Sequence, residues 1–162
     1  MIIYQLLEFL KQENLIKLYH GTNKIFDSFQ DNNIIFFTDD KNVAKTYGKH
    51  IIEITINKFE NFVDIDCENN STIFFNGKTY LPSQFALYLK ALQDDINNNY
   101  QIDDEILQEL DYYGYNPLYG DMDGIIMRNI QDNFDFFTDT PIIANNYVIF
   151  NINKIKQMEY IE

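Results

Sequence analysis

The chain has 162 residues, with 12 Lys plus Arg against 25 Asp plus Glu and a formal net charge of -13. Hydrophobic residues make up 46 % and aromatics 16 %, which argues against intrinsic disorder and provides for a single domain over 1–162. The acid excess works against electrostatic binding of nucleic acid, and the lone Cys67 excludes an internal disulfide or a cysteine-based zinc site.

Ile2, Ile3, Leu6, Leu7 and Leu10 recur at helical spacing, so residues 2–12 predict an amphipathic helix. Glu8 interrupts this apolar start, and it has neither a basic beginning nor a small-residue cleavage site. No apolar run reaches the roughly 18–20 residues of a membrane span, so the expectation is a soluble, cytoplasmic protein. Leu15 to Tyr19 reads as a strand ending at His20-Gly21-Thr22, followed by a loop to Asn33 pinned by Ile25, Phe26 and Phe29. A second buried strand, Ile34 to Phe37, leads into Thr38-Asp39-Asp40, whose oxygens can cap a helix over 42–47 that Gly48 ends. Residues 50–56 alternate as a strand, and 61–65 suggests another.

Asn76-Gly77 between two β-prone triplets predicts a hairpin within 71–81. Pro82-Ser83 opens a helix to about Ile96, and 103–112 reads as a second, acidic one. Gly124 to Met127 is expected as a short strand, Asn129 to Asn145 as a long connection and Tyr147 to Ile152 as the final strand. Strands thus cluster at both ends around an acidic helical insert over about 83–120. The predicted class is α+β with a mixed or antiparallel split sheet.

Between Lys90 and Arg128 no basic residue occurs, whereas Asp94, Asp95, Asp103, Asp104, Glu105, Glu109, Asp111, Asp121 and Asp123 all do. Such a stretch is either a solvated helical face or a surface that steers a basic partner. Asp64, Asp66 and Glu68 alternate and can share one face, more simply as a solvated edge than as a cation site. The only histidines, His20 and His50, do not suggest a metal site. Ser71 and Ser83 lack a nucleophile-elbow context, and Cys67 reads as a quiet buried thiol. The Gly-x-Gly-x-x-Gly and Walker signatures are both missing.

Three segments, in order, carry a resemblance. They are Tyr19-His20-Gly21-Thr22 at a strand end, Ile35-Phe36-Phe37-Thr38-Asp39 followed by Ala44-Lys45-Thr46-Tyr47, and Asn145-Asn146-Tyr147-Val148-Ile149-Phe150. Together they resemble the signature of ADP-ribosyltransferases of the diphtheria-toxin and poly(ADP-ribose) polymerase branch, and in particular its small phage and bacterial members, which include anti-CRISPR proteins. Asp123-Gly124-Ile125-Ile126 and Val148 to Lys156 are similar to further runs of those small members. The likeness covers about a quarter of the chain.

The resemblance implies a single ADP-ribosyltransferase-like domain that uses NAD as substrate. His20 would bind the adenosine ribose, the Gly21 backbone would clamp the nicotinamide amide, and Thr22 would add a hydroxyl contact. Tyr47 and Phe36 would sandwich the nicotinamide ring by stacking and cation–π attraction, with Thr38 among the NAD-contacting positions. The family's catalytic glutamate falls on Asn146, which can hydrogen-bond a hydroxyl but brings no charge to oppose a developing cation. Chain extension is therefore not expected, while transfer of one ADP-ribose unit is. A replacement carboxylate is sought among Asp132, Asp135, Asp139 and Asp123, with Asp132 ranked first.

The implied function is mono-ADP-ribosylation of a macromolecule, most simply a protein, by a phage or bacterial effector or toxin with an anti-defence role. A basic target could dock on the acidic 94–123 region. The alternative is a catalytically impaired NAD- or ADP-ribose-binding protein, or an acidic inhibitor of a basic partner. Hydrolysis of NAD stays open beside transfer.

Overall fold

The computed structural model describes residues 2–6, 14–25 and 34–162. Residues 2–6 are helical, and the rest of the expected first helix lies outside the described residues, as do Phe26 and Phe29. Ile25 is 66 % exposed, so it pins nothing to the core, contrary to expectation.

The protein is mixed α+β. Nine strands are described: β1 (Leu15–Thr22), β2 (Phe36–Thr38), β3 (His50–Asn57), β4 (Val63–Asp66), β5 (Ile73–Phe75), β6 (Lys78–Tyr80), β7 (Gly124–Asp135), β8 (Thr140–Ile149) and β9 (Ile155–Tyr160). Besides the helical residues 2–6, the α-helices are α1 (Lys41–Ala44), α2 (Pro82–Asn97) and α3 (Asp104–Tyr112). Seven strands form one sheet in the order β4-β7-β8-β2-β1-β3-β9. Among the described strands only β4 and β7 pair in parallel. None of the described helices is long and apolar enough to cross a membrane.

Side chains that alternate along each strand feed two cores on opposite faces. Ile125 and Met127 join Val63, Ile65, Phe85 and Leu89 beneath the helical insert. Ile126 lies between them in sequence and packs instead with Leu18, Ile54, Ile56 and Phe59. The β5–β6 hairpin turns as expected at Asn76 (φ 49°) and Gly77 (φ 74°), the paired left-handed residues a two-residue turn requires.

Further expectations are corrected. β1 continues through His20-Gly21-Thr22 by pairing with β3 as far as Thr22↔His50. α1 stops at Ala44, and single-turn bonds such as Tyr47 N–H to Ala44 C=O carry the chain on to Tyr47. The connection expected over 129–145 is instead a long antiparallel hairpin, closing at Asp135↔Thr140.

Two bulges hid that hairpin. The register jumps between Met127 and Ile130, and again between Gln131 and Asn133. Asn129 takes φ 52°, and its N–H is satisfied by the Asn145 side chain at 3.1 Å. At the second bulge Asp132 is the extra residue without a register partner. Polar residues at such positions break the alternation by which a strand is recognised. The last strand of the chain is β9, paired with β3, rather than the segment ending at Ile152.

Candidate functional site

The sheet is weakest where β1 meets β2, which share the single register pair Tyr19↔Thr38. Beyond it a side chain takes over from the ladder, as His20 Nδ1–H donates to the Phe36 carbonyl at 2.8 Å. That bond fixes the proton on Nδ1 and leaves Nε2 the acceptor nitrogen of the neutral ring. Burial holds the His20 imidazole below its ordinary pKa, outweighing the opposite pull of the Phe36 carbonyl.

A cavity of about 770 Å3 opens at this joint, within the range of small-molecule sites. His20 and Gly21 come to it from β1, Phe36 and Thr38 from β2, Tyr47 from the turn after α1, Asp132 from β7 and Asn146 from β8. The structure thus brings together seven of the eleven residues singled out from the sequence. Thr22 does not line the cavity; its hydroxyl donates to the Lys24 carbonyl and accepts from the Lys24 N–H, both at 3.1 Å.

Gly21 serves the site through packing. A Cβ there would lie 1.8 Å from the Ala44 carbonyl oxygen and 3.2 Å from Tyr47 Cβ. The missing side chain is what lets β1 lie against α1 and seats Tyr47 over the cavity. α1 is capped by Asp40, whose Oδ1 accepts from Asn42 N–H at 2.8 Å. Thr38 is 4 % exposed, and its hydroxyl oxygen accepts from Asp40 N–H at 3.2 Å.

Tyr47, Asp132 and Asn146 converge on one oxygen. The Tyr47 hydroxyl donates to Asp132 Oδ1 at 2.6 Å and approaches the Asp132 carbonyl at 2.7 Å. Asn146 Nδ2 donates to the same Oδ1 at 3.0 Å. Among the described residues nothing hydrogen-bonds Oδ2, and no side-chain oxygen is both buried and unpartnered. Two donors therefore fix the carboxylate through Oδ1 and leave Oδ2 without a hydrogen bond from the described residues. Burial first, and the Asp132 carboxylate second, push the Tyr47 phenol well above its usual range, so it stays a donor.

The other candidate carboxylates lie elsewhere. Asp135 Oδ1 accepts from Phe137 and Thr138 N–H at the β7–β8 turn, where Asp139 takes φ 55°. Asp123, 7 % exposed, accepts from Glu60 N–H at 2.9 Å and from the Asn151 side chain at 3.2 Å, with Lys154 Nζ 3.5 Å away. It ties the start of β7 to two loops. Asp64 is held by both Arg128 Nε and Nη2, and Asp66 accepts from Glu68 N–H and the Asn129 amide, so two of the three alternating carboxylates are engaged in internal contacts. Cys67 is buried, and burial pushes its thiol up to about 12, which makes it an inert packing group.

The far wall escaped the sequence reading. Ser71, Leu81, Pro82 and Ser83 line the cavity from the residues flanking the hairpin and the start of α2, together with Ile130 and Gln131. Their one local signal is the helix-opening Pro82-Ser83, reinforced where Gln84 Oε1 accepts from Leu81 N–H at 3.0 Å. That signal marks a helix start and says nothing of what it faces.

No protein-family model and no curated protein matches the chain. Among solved structures it is similar to the crystal structure of an anti-CRISPR protein, at 13 % identity and a TM-score of 0.39, over 91 % of this chain and 96 % of that one. A likeness that distant carries no argument about activity.

Proposed function

We propose that the protein is an NAD-dependent mono-ADP-ribosyltransferase acting on a protein target, with the cavity at the β1–β2 joint as its NAD site. The reaction breaks the bond between nicotinamide and ribose. The bonding pair leaves with nicotinamide, positive charge develops at the anomeric carbon, and a nucleophile on the target takes the ADP-ribose and loses its proton to water.

The observation that supports this reading is the carboxylate of Asp132, which lines the cavity and is fixed through Oδ1 by Tyr47 and Asn146. Asn146 occupies the position where the resemblance expects a glutamate, and it supplies no charge. Asp132, delivered by the bulge in β7, restores that charge beside it. A preorganised carboxylate stabilises a developing cation without reorganising during the reaction. Asn146 then acts as a positioning residue, and its amide oxygen stays available to a ribose hydroxyl. Thr38, His20 and the rings of Phe36 and Tyr47 complete the polar and aromatic lining. The anti-defence role implied by the sequence resemblance belongs to this proposal and is read from the identity of the modified protein.

The test is transfer of labelled NAD to proteins in a cell lysate, with nicotinamide release measured in parallel. Asp132→Asn should lower both by about 10²- to 10³-fold, the usual loss for a stabilising electrostatic group, with near-UV circular dichroism unchanged. His20→Ala should abolish the label. Full activity in Asp132→Asn would overturn the assignment of the charge. No nicotinamide release from wild type or from Asn146→Glu would replace the transferase with the binding-protein alternative.

A further inference from the structure

The cavity's charge pattern bears on which part of a dinucleotide it recognises. Among the described residues lining it, Asp132 is the one side chain with a formal charge, and no Lys or Arg is present. Burial disfavours the charged form of His20, and its Nδ1–H is committed to the Phe36 carbonyl at 2.8 Å. The chain as a whole carries -13.

Phosphate recognition normally draws on cationic side chains, whose charge-assisted bonds offset the cost of desolvating the anion. This cavity has none to offer among its described lining. The Asp132 carboxylate and the rings of Tyr47 and Phe36 in its lining favour a flat cation instead, by Coulomb attraction and by cation–π contact. The strongest competing feature is the start of α2, where Pro82 and Ser83 reach the cavity. A helix start offers an anion roughly half a unit of positive charge and backbone N–H groups, against a full negative charge on Asp132.

We infer that the site recognises the N-ribosylpyridinium end of its substrate, a cationic nucleoside, and that the phosphates and adenosine add little affinity. The inference rests on the transferase reading and narrows it, since it assigns binding to one half of NAD. It also sets a sign for specificity: each added phosphate lowers affinity or leaves it unchanged.

The experiment is isothermal titration with carbocyclic analogues, which keep the pyridinium charge and are not cleaved: carba-nicotinamide riboside, its 5′-phosphate, carba-NAD and carba-NADP. The expected result is a riboside Kd within about threefold of that for carba-NAD, and weaker binding of carba-NADP. Asp132→Asn should weaken the riboside at least tenfold and leave neutral nicotinamide unchanged. Raising the salt concentration should weaken the riboside, because it screens an attraction. Carba-NAD binding more than tenfold tighter than the riboside would place the phosphates on the protein and overturn the inference while leaving the transferase reading intact. Binding of neither analogue would overturn both.

Discussion

The Tyr47 hydroxyl and the Asp132 carboxylate, 85 positions apart in the chain, meet at 2.6 Å. The bond joins the turn after α1 to the bulge of β7, and a second bond beside it, Asn133 Nδ2 to Thr46 Oγ1 at 3.2 Å, runs between the same two segments. Tyr47 therefore has two separable parts: a ring that lines the cavity and a hydroxyl that holds Asp132.

Tyr47→Phe keeps the first part and removes the second. A hydrogen bond to a charged group is worth about 1.5–3 kcal/mol, which corresponds to a loss of roughly 10- to 100-fold in nicotinamide release. Affinity for NAD should change by less than about threefold, because the ring remains. Because burial and Asp132 hold the phenol above its ordinary value of 10.0, the wild-type rate should show no inflection from Tyr47 near that pH. A pH–rate profile of both proteins checks this, and an alkaline limb near 10 that vanishes in Tyr47→Phe would contradict it.

Gly21 separates packing from ligand contact in the same way. In Gly21→Ala the new methyl would sit 1.8 Å from the Ala44 carbonyl, so α1 must move away from β1. Overpacking of this kind costs about 1–3 kcal/mol. Urea denaturation should show that loss, together with weaker NAD binding as Tyr47 shifts. Unchanged stability with lost binding would mean that Gly21 serves the ligand alone.

Asp123 should matter for stability and leave the chemistry alone. Burial alone would push its carboxyl up, but the Glu60 N–H, the Asn151 amide, the Asn61 N–H and Lys154 outweigh it and hold the group below its ordinary 3.8. A carboxyl depressed in the folded state contributes stability that is full above its unfolded pKa and is lost as pH falls through the folded one. Asp123→Asn should cost about 1–3 kcal/mol at pH 7, with nicotinamide release per folded molecule unchanged. The gap in Tm between the two proteins should narrow below pH 4. A gap that stays constant down to acid pH would show that the carboxylate's charge contributes nothing.

The elements legible in the sequence are those whose local chemistry agrees with their setting. Asn76-Gly77 demanded a tight hairpin, Pro82 opened α2, and the alternation from Ile51 to Ile56 marked a half-buried strand. β7 beyond Met127 was illegible because its bulges put Asn129 and Asp132 where alternation expects otherwise. The site followed the same division. His20, Phe36 and Asn146 sit on strands whose pairing carries them together, so ordered segments sufficed to suggest them. The place of Asp132 depends on a one-residue register shift, and that of Ser71 and Leu81 on how a hairpin closes over the sheet. Neither leaves a periodic trace.

The acidic insert offers a test in which charge and stability can be set against each other. Asp103, Asp104 and Glu105 are exposed at the start of α3, where negative charge favours the helix dipole. Asp94 and Asp95 lie near the end of α2, whose last turn has no basic residue and where negative charge opposes the dipole. Replacing the first three with Lys should therefore destabilise the fold, by about 0.3–1 kcal/mol for each charge within the first turn. Replacing Asp94 and Asp95 with Lys should stabilise it by a similar amount per site. If the insert docks a basic target, both variants should lower the rate of target modification, most strongly at low salt, with NAD binding intact. Two variants with opposite effects on Tm and the same loss of modification would assign the effect to charge. Modification at the wild-type rate in the more stable Asp94→Lys/Asp95→Lys protein would remove docking on that end of the insert.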